Sequence, residues 1–376
     1  MNTPAFFPRI GRPLKHTRNR LYSIDTPRRS LIAKCMPDHG EARAEATGHR
    51  LLREWYPVPA LHHHIRLPGR SVLVYDRLPG GPDRGLLLDL LNTPDDGDHA
   101  ALEAYMGELT ATYAGVFAKT AELTPPEAVV GKLYRDRAAP GGRLDRYYAG
   151  RDLPLTDTET GPKASDLART GLYVNGRHYR LDWEGTRAWL RNAFDAPVWS
   201  AISQGDPTDV NLAAPLAWLD YDTAGRNAIA GEIANFSFHT AVLGGWLVPI
   251  LNAEAFARHP ATFDRIPANT PWISARLRES ALHIRFTDRL SATRRIALDR
   301  YWERLVHPIA ARCFPGESLA QALGPYLAMR IIGVFDLARM TLEQRLYLLA
   351  KLALCTAPDF SPQRFFDLAE SSCPTP

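Results

Sequence analysis

The chain has 376 residues, 45% of them hydrophobic and 23% charged, which excludes wholesale disorder, collagen and coiled coil and allows two lobes with a substantial core. Lys and Arg number 45 against 41 Asp and Glu, a net charge of +4, too mild for a dedicated nucleic-acid-binding domain. The charge is uneven, because residues 1–80 hold 14 basic and 6 acidic residues and so carry +8.

Only six residues are lysines, among them Lys34 and Lys132, so a lysine inside an apolar segment stands out against 39 arginines. Cys35, Cys313, Cys355 and Cys373 form no CxxC pair, and neither a zinc site nor a disulfide framework is expected. No charged region followed by an apolar run opens the sequence. The longest apolar stretch, residues 241–253, is interrupted by Pro249 and too short to span a bilayer. A cytoplasmic location with no membrane and no nucleic-acid partner is the expectation.

In chain order, residues 20–25 and 30–35 are predicted as short strands around the turn signal Thr26-Pro27-Arg28-Arg29. A helix is predicted over 41–55 from the stripe of Ala42, Ala46 and His49, ended by Pro57 and Pro59. Strands at 61–67 and 71–78 follow, and then Pro79-Gly80-Gly81-Pro82 breaks the pattern. That break divides an amino-terminal lobe, 1–80, from a larger lobe, 81–376. Helical spacing marks 85–91 and 99–123. Asn175-Gly176 between alternating apolar positions marks a hairpin over 170–181, preceded by a polar loop at 152–162. From Glu232 to Leu368 the pattern is mostly helical.

The chemistry concentrates at 201–226. Asp206 and Asn211 stand in a D-x-x-x-x-N relation, and Asp220 follows behind the apolar run Leu216-Ala217-Trp218-Leu219. Phosphoryl transfer requires an aspartate to orient or deprotonate the acceptor hydroxyl, and an amide oxygen with a second aspartate to hold Mg²⁺ on the ATP phosphates. No His/Cys cluster competes for a softer metal. The run His62-His63-His64 is a poor metal site, because neighbouring strand residues face opposite ways.

Gln204-Gly205-Asp206 with Asn211, and Leu219-Asp220-Tyr221-Asp222-Thr223-Ala224-Gly225, resemble the signatures of the aminoglycoside phosphotransferase and choline kinase-like families, distant relatives of protein kinases. The resemblance covers about residues 15–240. It implies an α+β, two-lobed protein-kinase-like fold with a small β-rich lobe and a mainly helical one. It also implies transfer of the ATP γ-phosphate to a hydroxyl, with Asp206 catalytic and Asn211 and Asp220 as magnesium ligands. Lys34 takes the place of the phosphate-pairing lysine and Glu45 that of its ion-pair partner, ahead of the competitor Glu41, because Ala46 and Leu52 put Glu45 on the inward side. The segment 72–80, with Val74 and Asp76, resembles the hinge that meets adenine. Thr17 and Asn19 would hold phosphates from the loop 15–20, which lacks glycine. Glu232 sits where the family has a structural acid.

Two departures bear on the loop: Gln204 replaces a histidine and is expected to support loop geometry, and Asp209 adds a negative charge beside the site. Asp222 is read either as a second metal contact or as a turn cap. Tyr147, Tyr148 and Trp246 are expected to pack in the core or the acceptor pocket, and the loop 152–162 and the hairpin to recognise the acceptor. That acceptor is expected to be a small molecule, with a Ser or Thr hydroxyl of a peptide as the alternative. A pseudokinase that binds nucleotide without turnover is the third reading, motivated by Gln204 and the glycine-free loop.

Overall fold

A computed structural model describes residues 9–16, 19–27, 29–78, 85–156, 161–314 and 319–368. Its amino-terminal lobe is a five-stranded antiparallel sheet of β1 (Arg9–His16), β2 (Arg20–Asp25), β3 (Ser30–Met36), β4 (Leu61–Leu67) and β5 (Arg70–Asp76), in the order β1-β2-β3-β5-β4. Four of these are the expected strands. β1 is the addition, and it pairs with β2 so that His16 stands opposite Arg20. In the centre of the sheet Lys34 lies opposite Leu21 on one side and Leu73 on the other.

The helix α1 (His39–Leu52) starts two residues earlier than the stripe suggests, because Asp38 caps it by accepting from Gly40 N (2.7 Å) and Glu41 N (3.1 Å). It ends three residues earlier than expected. Glu54 N and Trp55 N already donate to carbonyls three residues back, which tightens the last turn before Pro57. Ala42, Glu45, Ala46, His49 and Leu52 are its buried residues, a three-and-four spacing that lays one face on the sheet. The expected lobe boundary at 80 falls in 79–84, outside the described residues.

The carboxy-terminal lobe is built around the long helix Ala100–Thr120 and the apolar helix Ile229–Leu251. The latter is apolar enough by composition to cross a membrane, but 83% of its apolar window is buried within the protein, which makes it a core helix. Its middle, His239–Leu247, widens into π-helical turns. Tyr148 and Trp246 are core residues, as expected.

The predicted hairpin forms from the strands Leu172–Val174 and Arg177–Tyr179, with Asn175 and Gly176 both at positive φ. A second hairpin, Trp272–Arg278 with Ala281–Thr287, was not expected in a stretch read as helical, and its second strand pairs in parallel with Leu172–Val174. Its turn residues Glu279 and Ser280 adopt positive φ without Gly or Asn, so the sequence carries no turn signal there. The sheet-and-helix lobe on a mainly helical lobe is the two-lobed α+β architecture that the motifs imply.

Candidate active site

Between the lobes lies a cleft of about 430 Å³, lined from above by Asn19, Ile32, Lys34 and Asp76 and from below by Asn211 and Asp220. Lys34 Nζ donates to Glu45 Oε1 at 2.8 Å and to Asp220 Oδ1 at 2.6 Å. This selects Glu45 over Glu41 as the partner. Burial disfavours the Lys34 charge, but Asp220 and Glu45 outweigh it and hold the ammonium well above its ordinary range.

Glu45 ties the lobes together. Its Oε1 also accepts from the Tyr75 hydroxyl at 3.2 Å, and its Oε2 accepts from Tyr221 N at 3.0 Å in the loop that carries Asp220. That approach depends on Gly48, one turn further along α1. A Cβ there would lie 2.1 Å from the Tyr221 carbonyl oxygen, so only glycine lets the helix touch this loop.

The loop that carries Asp206 leaves the strand Val198–Ser203. Gly205 turns it with φ of +91°, where a Cβ would meet the Thr223 carbonyl at 2.6 Å. Gln204 is fully buried and bridges two loops: its Oε1 accepts from Asp206 N at 2.8 Å and its Nε2 donates to the Leu219 and Asp220 carbonyls. Asp206 Oδ1 accepts from Asn235 Nδ2 at 2.8 Å. Asn211 Nδ2 donates to the Asp206 carbonyl at 2.9 Å. Behind the loop, Glu232 is fully buried and accepts from Ser203 Oγ at 2.6 Å and Tyr113 at 3.3 Å. Burial pushes its carboxyl up to about 7.

The predicted residues divide as follows. Lys34, Glu45, Asn19, Asp76, Asn211 and Asp220 line the cleft, and Asp206 adjoins it through Asn211. Val74 does not line it: its side chain is buried in the sheet, and the cleft wall runs through Tyr75, Asp76, Arg77 and Leu78. Thr17 lies outside the described residues. Asp209 is not a free charge beside the site. It is buried and bound by His239 Nε2 (2.8 Å) and Arg294 Nη2 (2.9 Å). Burial opposes its ionisation, yet those two partners hold it well below the usual carboxylate range. Asp222 forms an ion pair with Lys132 at 2.5 Å.

Three features escaped the sequence reading. Gly48 and the Lys132–Asp222 pair depend on segments far apart in the chain. The third is Arg330, on the helix Leu319–Ile332, whose Nη1 lies 3.7 Å from Asp206 Oδ1. The rarity of lysine could have pointed to Lys132, but one arginine among 39 gives no signal.

The donor set suits a hard cation. Among the described residues no three of His, Cys, Asp and Glu gather as a metal cage. A magnesium ion here would therefore be shared by Asp220, by the Asn211 amide oxygen, whose NH₂ is already engaged, and by phosphate oxygens.

No family model matches the sequence, and no curated protein does. Solved structures do match in a structural comparison. One is a thermostable mutant of aminoglycoside phosphotransferase APH(4)-Ia in ternary complex with AMP-PNP and hygromycin B, at 15% identity and a TM-score of 0.40, covering 87% of this chain and 95% of that one. Another is aminoglycoside-3'-phosphotransferase of type VIII, at 17% identity and a TM-score of 0.37, covering 70% and 88%. A third is the Cydia pomonella granulovirus kinase PK-1, at 17% identity and a TM-score of 0.25, covering 31% and 45%.

Proposed function

We propose that this protein is an ATP- and Mg²⁺-dependent phosphotransferase that moves the γ-phosphoryl group of ATP to a hydroxyl of a small molecule. The observation that carries the reading is Lys34 bonded at once to Glu45 and Asp220, across a cleft that Asn211 also lines and that Asp206 adjoins. Such a network gives a fixed cation for phosphate oxygens in a partly desolvated site.

In this reading Lys34 binds the phosphates, Glu45 holds Lys34 in place, and the wall from Tyr75 to Leu78 meets the base. Asp220 and Asn211 would hold the magnesium, which when bound neutralises phosphate charge. Asp206 orients the acceptor hydroxyl and takes its proton. The acceptor oxygen bonds to the γ-phosphorus as the bond to the β–γ bridging oxygen breaks, and ADP leaves. The lobe division at residue 80 belongs to the same reading.

Gln204 fits a catalytic loop and gives no reason to expect a pseudokinase, because its side-chain bonds are all to the backbone of the loops that carry Asp206 and Asp220. The deciding experiment incubates the purified protein with γ-labelled ATP and Mg²⁺ against amino sugars, nucleosides, amino alcohols and Ser-containing peptides. Label transfer that disappears in Lys34→Ala is the expected result. Nucleotide binding without transfer to any acceptor would leave only the binding module.

A further inference from the structure

Arg330 is almost wholly enclosed, with a side chain 6% exposed, yet among the described residues its guanidinium donates no hydrogen bond. Its Nε is a buried donor with no acceptor, and its one counter-charge is Asp206 Oδ1 at 3.7 Å, beyond hydrogen-bond reach. Two more guanidinium groups stand beside it. Arg137 Nη1 and Arg143 Nη1 both reach toward the Gly333 carbonyl, at 3.5 and 3.3 Å, just past the end of the helix that carries Arg330. Burial and the neighbouring charges of Arg143 and Arg330 lower Arg137 to about 10, and Asp206 acts in the opposite sense.

The surrounding carboxylates are engaged elsewhere. Asp145 is held by Arg187 and Arg191, Asp336 by Arg151 and Arg339, and Asp222 by Lys132. Among the described residues neither Arg137 nor Arg143 has a carboxylate within 4 Å, and Asp206, 3.7 Å from Arg330 Nη1, is the carboxylate whose charge also acts on Arg137. Cations are favourable at a helix C-terminus, which accounts for the bonds of Arg137 and Arg143 to the Gly333 carbonyl. It does not account for an enclosed Arg330 whose guanidinium donates no bond.

We propose that the acceptor carries an oxyanion, a carboxylate or a phosphate, which Arg137, Arg143 and Arg330 bind while its hydroxyl is presented to Asp206. The planar forks of arginine suit such a group and have donors to spare. The surplus of positive charge repels a polycationic acceptor. This inference rests on the phosphotransferase reading for the hydroxyl, and on the arginine geometry alone for the anion.

The test uses matched acceptors with γ-labelled ATP: nucleosides and their 5'-monophosphates, hexoses and the corresponding uronic acids and hexose phosphates, and cationic amino sugars. The anionic members are expected to show kcat/KM at least tenfold above their neutral partners, with the two anionic series separating carboxylate from phosphate. In Arg137→Gln/Arg143→Gln that preference should collapse through acceptor KM, with ATP KM unchanged and Arg137→Lys/Arg143→Lys retaining part of it. Preference for neutral or cationic members overturns the proposal, as does an equal loss on all acceptors, which would assign the arginines to the transferred phosphoryl group. If no pair is phosphorylated, the phosphotransferase reading fails by itself, and sulfate still decides the anion site. Thermal stabilisation by sulfate should persist in Lys34→Ala and vanish in the double glutamine variant, whereas equal stabilisation in all three proteins overturns the proposal.

Discussion

Lys34 meets two carboxylates within 2.8 Å, whereas Arg330, enclosed to a similar degree, meets none within hydrogen-bond distance. The two cations flank the loop that carries Asp206. On the side that the proposed function gives to the nucleotide, the cation is pre-positioned by protein carboxylates, and Glu45 also anchors the loop of Asp220. On the opposite side, among the described residues, the Arg330 charge has one counterpart, Asp206 at 3.7 Å. A buried cation with its partners in place holds the lobes in register; for the one without them, the proposed acceptor anion would supply the missing counter-charge.

The largest expected effect tests the group that separates the two sides. Asp206→Asn should lower phosphoryl transfer by roughly 10²–10⁴-fold, the range for a positioned general base, while nucleotide affinity, carried by the Lys34 network, stays unchanged. Transfer at the wild-type rate would remove Asp206 from the chemistry.

Next comes a contrast in stability. Arg294→Met leaves the buried Asp209 with His239 alone and should cost about 3–5 kcal/mol in denaturant unfolding. Arg137→Gln strands no carboxylate, so its cost should stay within about 0.5 kcal/mol. Equal losses would show that the surplus arginines are as structural as the paired one.

Glu232 sharpens the comparison by being a buried acid without a cation. Its folded value of about 7 stands above the ordinary 4.5, so the folded state holds its proton more tightly than the unfolded chain. The stability this confers is full below pH 4.5, falls as pH rises through 7, and is then gone. The difference is about 3 kcal/mol. Glu232→Gln should flatten that window when urea midpoints are compared at pH 4.5 and pH 8, and an unchanged slope would show that another group governs it.

The smallest effect is expected at Gln204. A histidine there keeps a donor for the Leu219 or Asp220 carbonyl, so Gln204→His should change kcat by less than about tenfold, and a loss as large as that of Asp206→Asn would make Gln204 part of the chemistry.

The sequence by itself determined what is local in the chain. Strand alternation, the stripe of α1, the Asn175-Gly176 turn and the spacing of Asp206, Asn211 and Asp220 all depend on neighbours within a few residues, and each was legible there. The rare Lys34 was legible by composition and by resemblance. Only the tertiary structure decided contacts across long separations. Asp209 lies beside the catalytic loop in sequence, yet His239 and Arg294, 30 and 85 residues away, take its charge into the core. The hairpin from Trp272 stayed hidden because its turn uses neither Gly nor Asn, and its place is fixed by parallel pairing to the strand Leu172–Val174, about a hundred residues earlier. Val74 looked equivalent to Asp76 in a short motif, and the pleat puts the two on one face of β5; what separates them is their place along it, Val74 buried between β3 and β4 and Asp76 at the end of the strand where the cleft begins. Arg330 reaches Asp206 from 124 residues along the chain, and no local pattern marks which arginine will do so, because the meeting is set by how one helix packs against the catalytic loop.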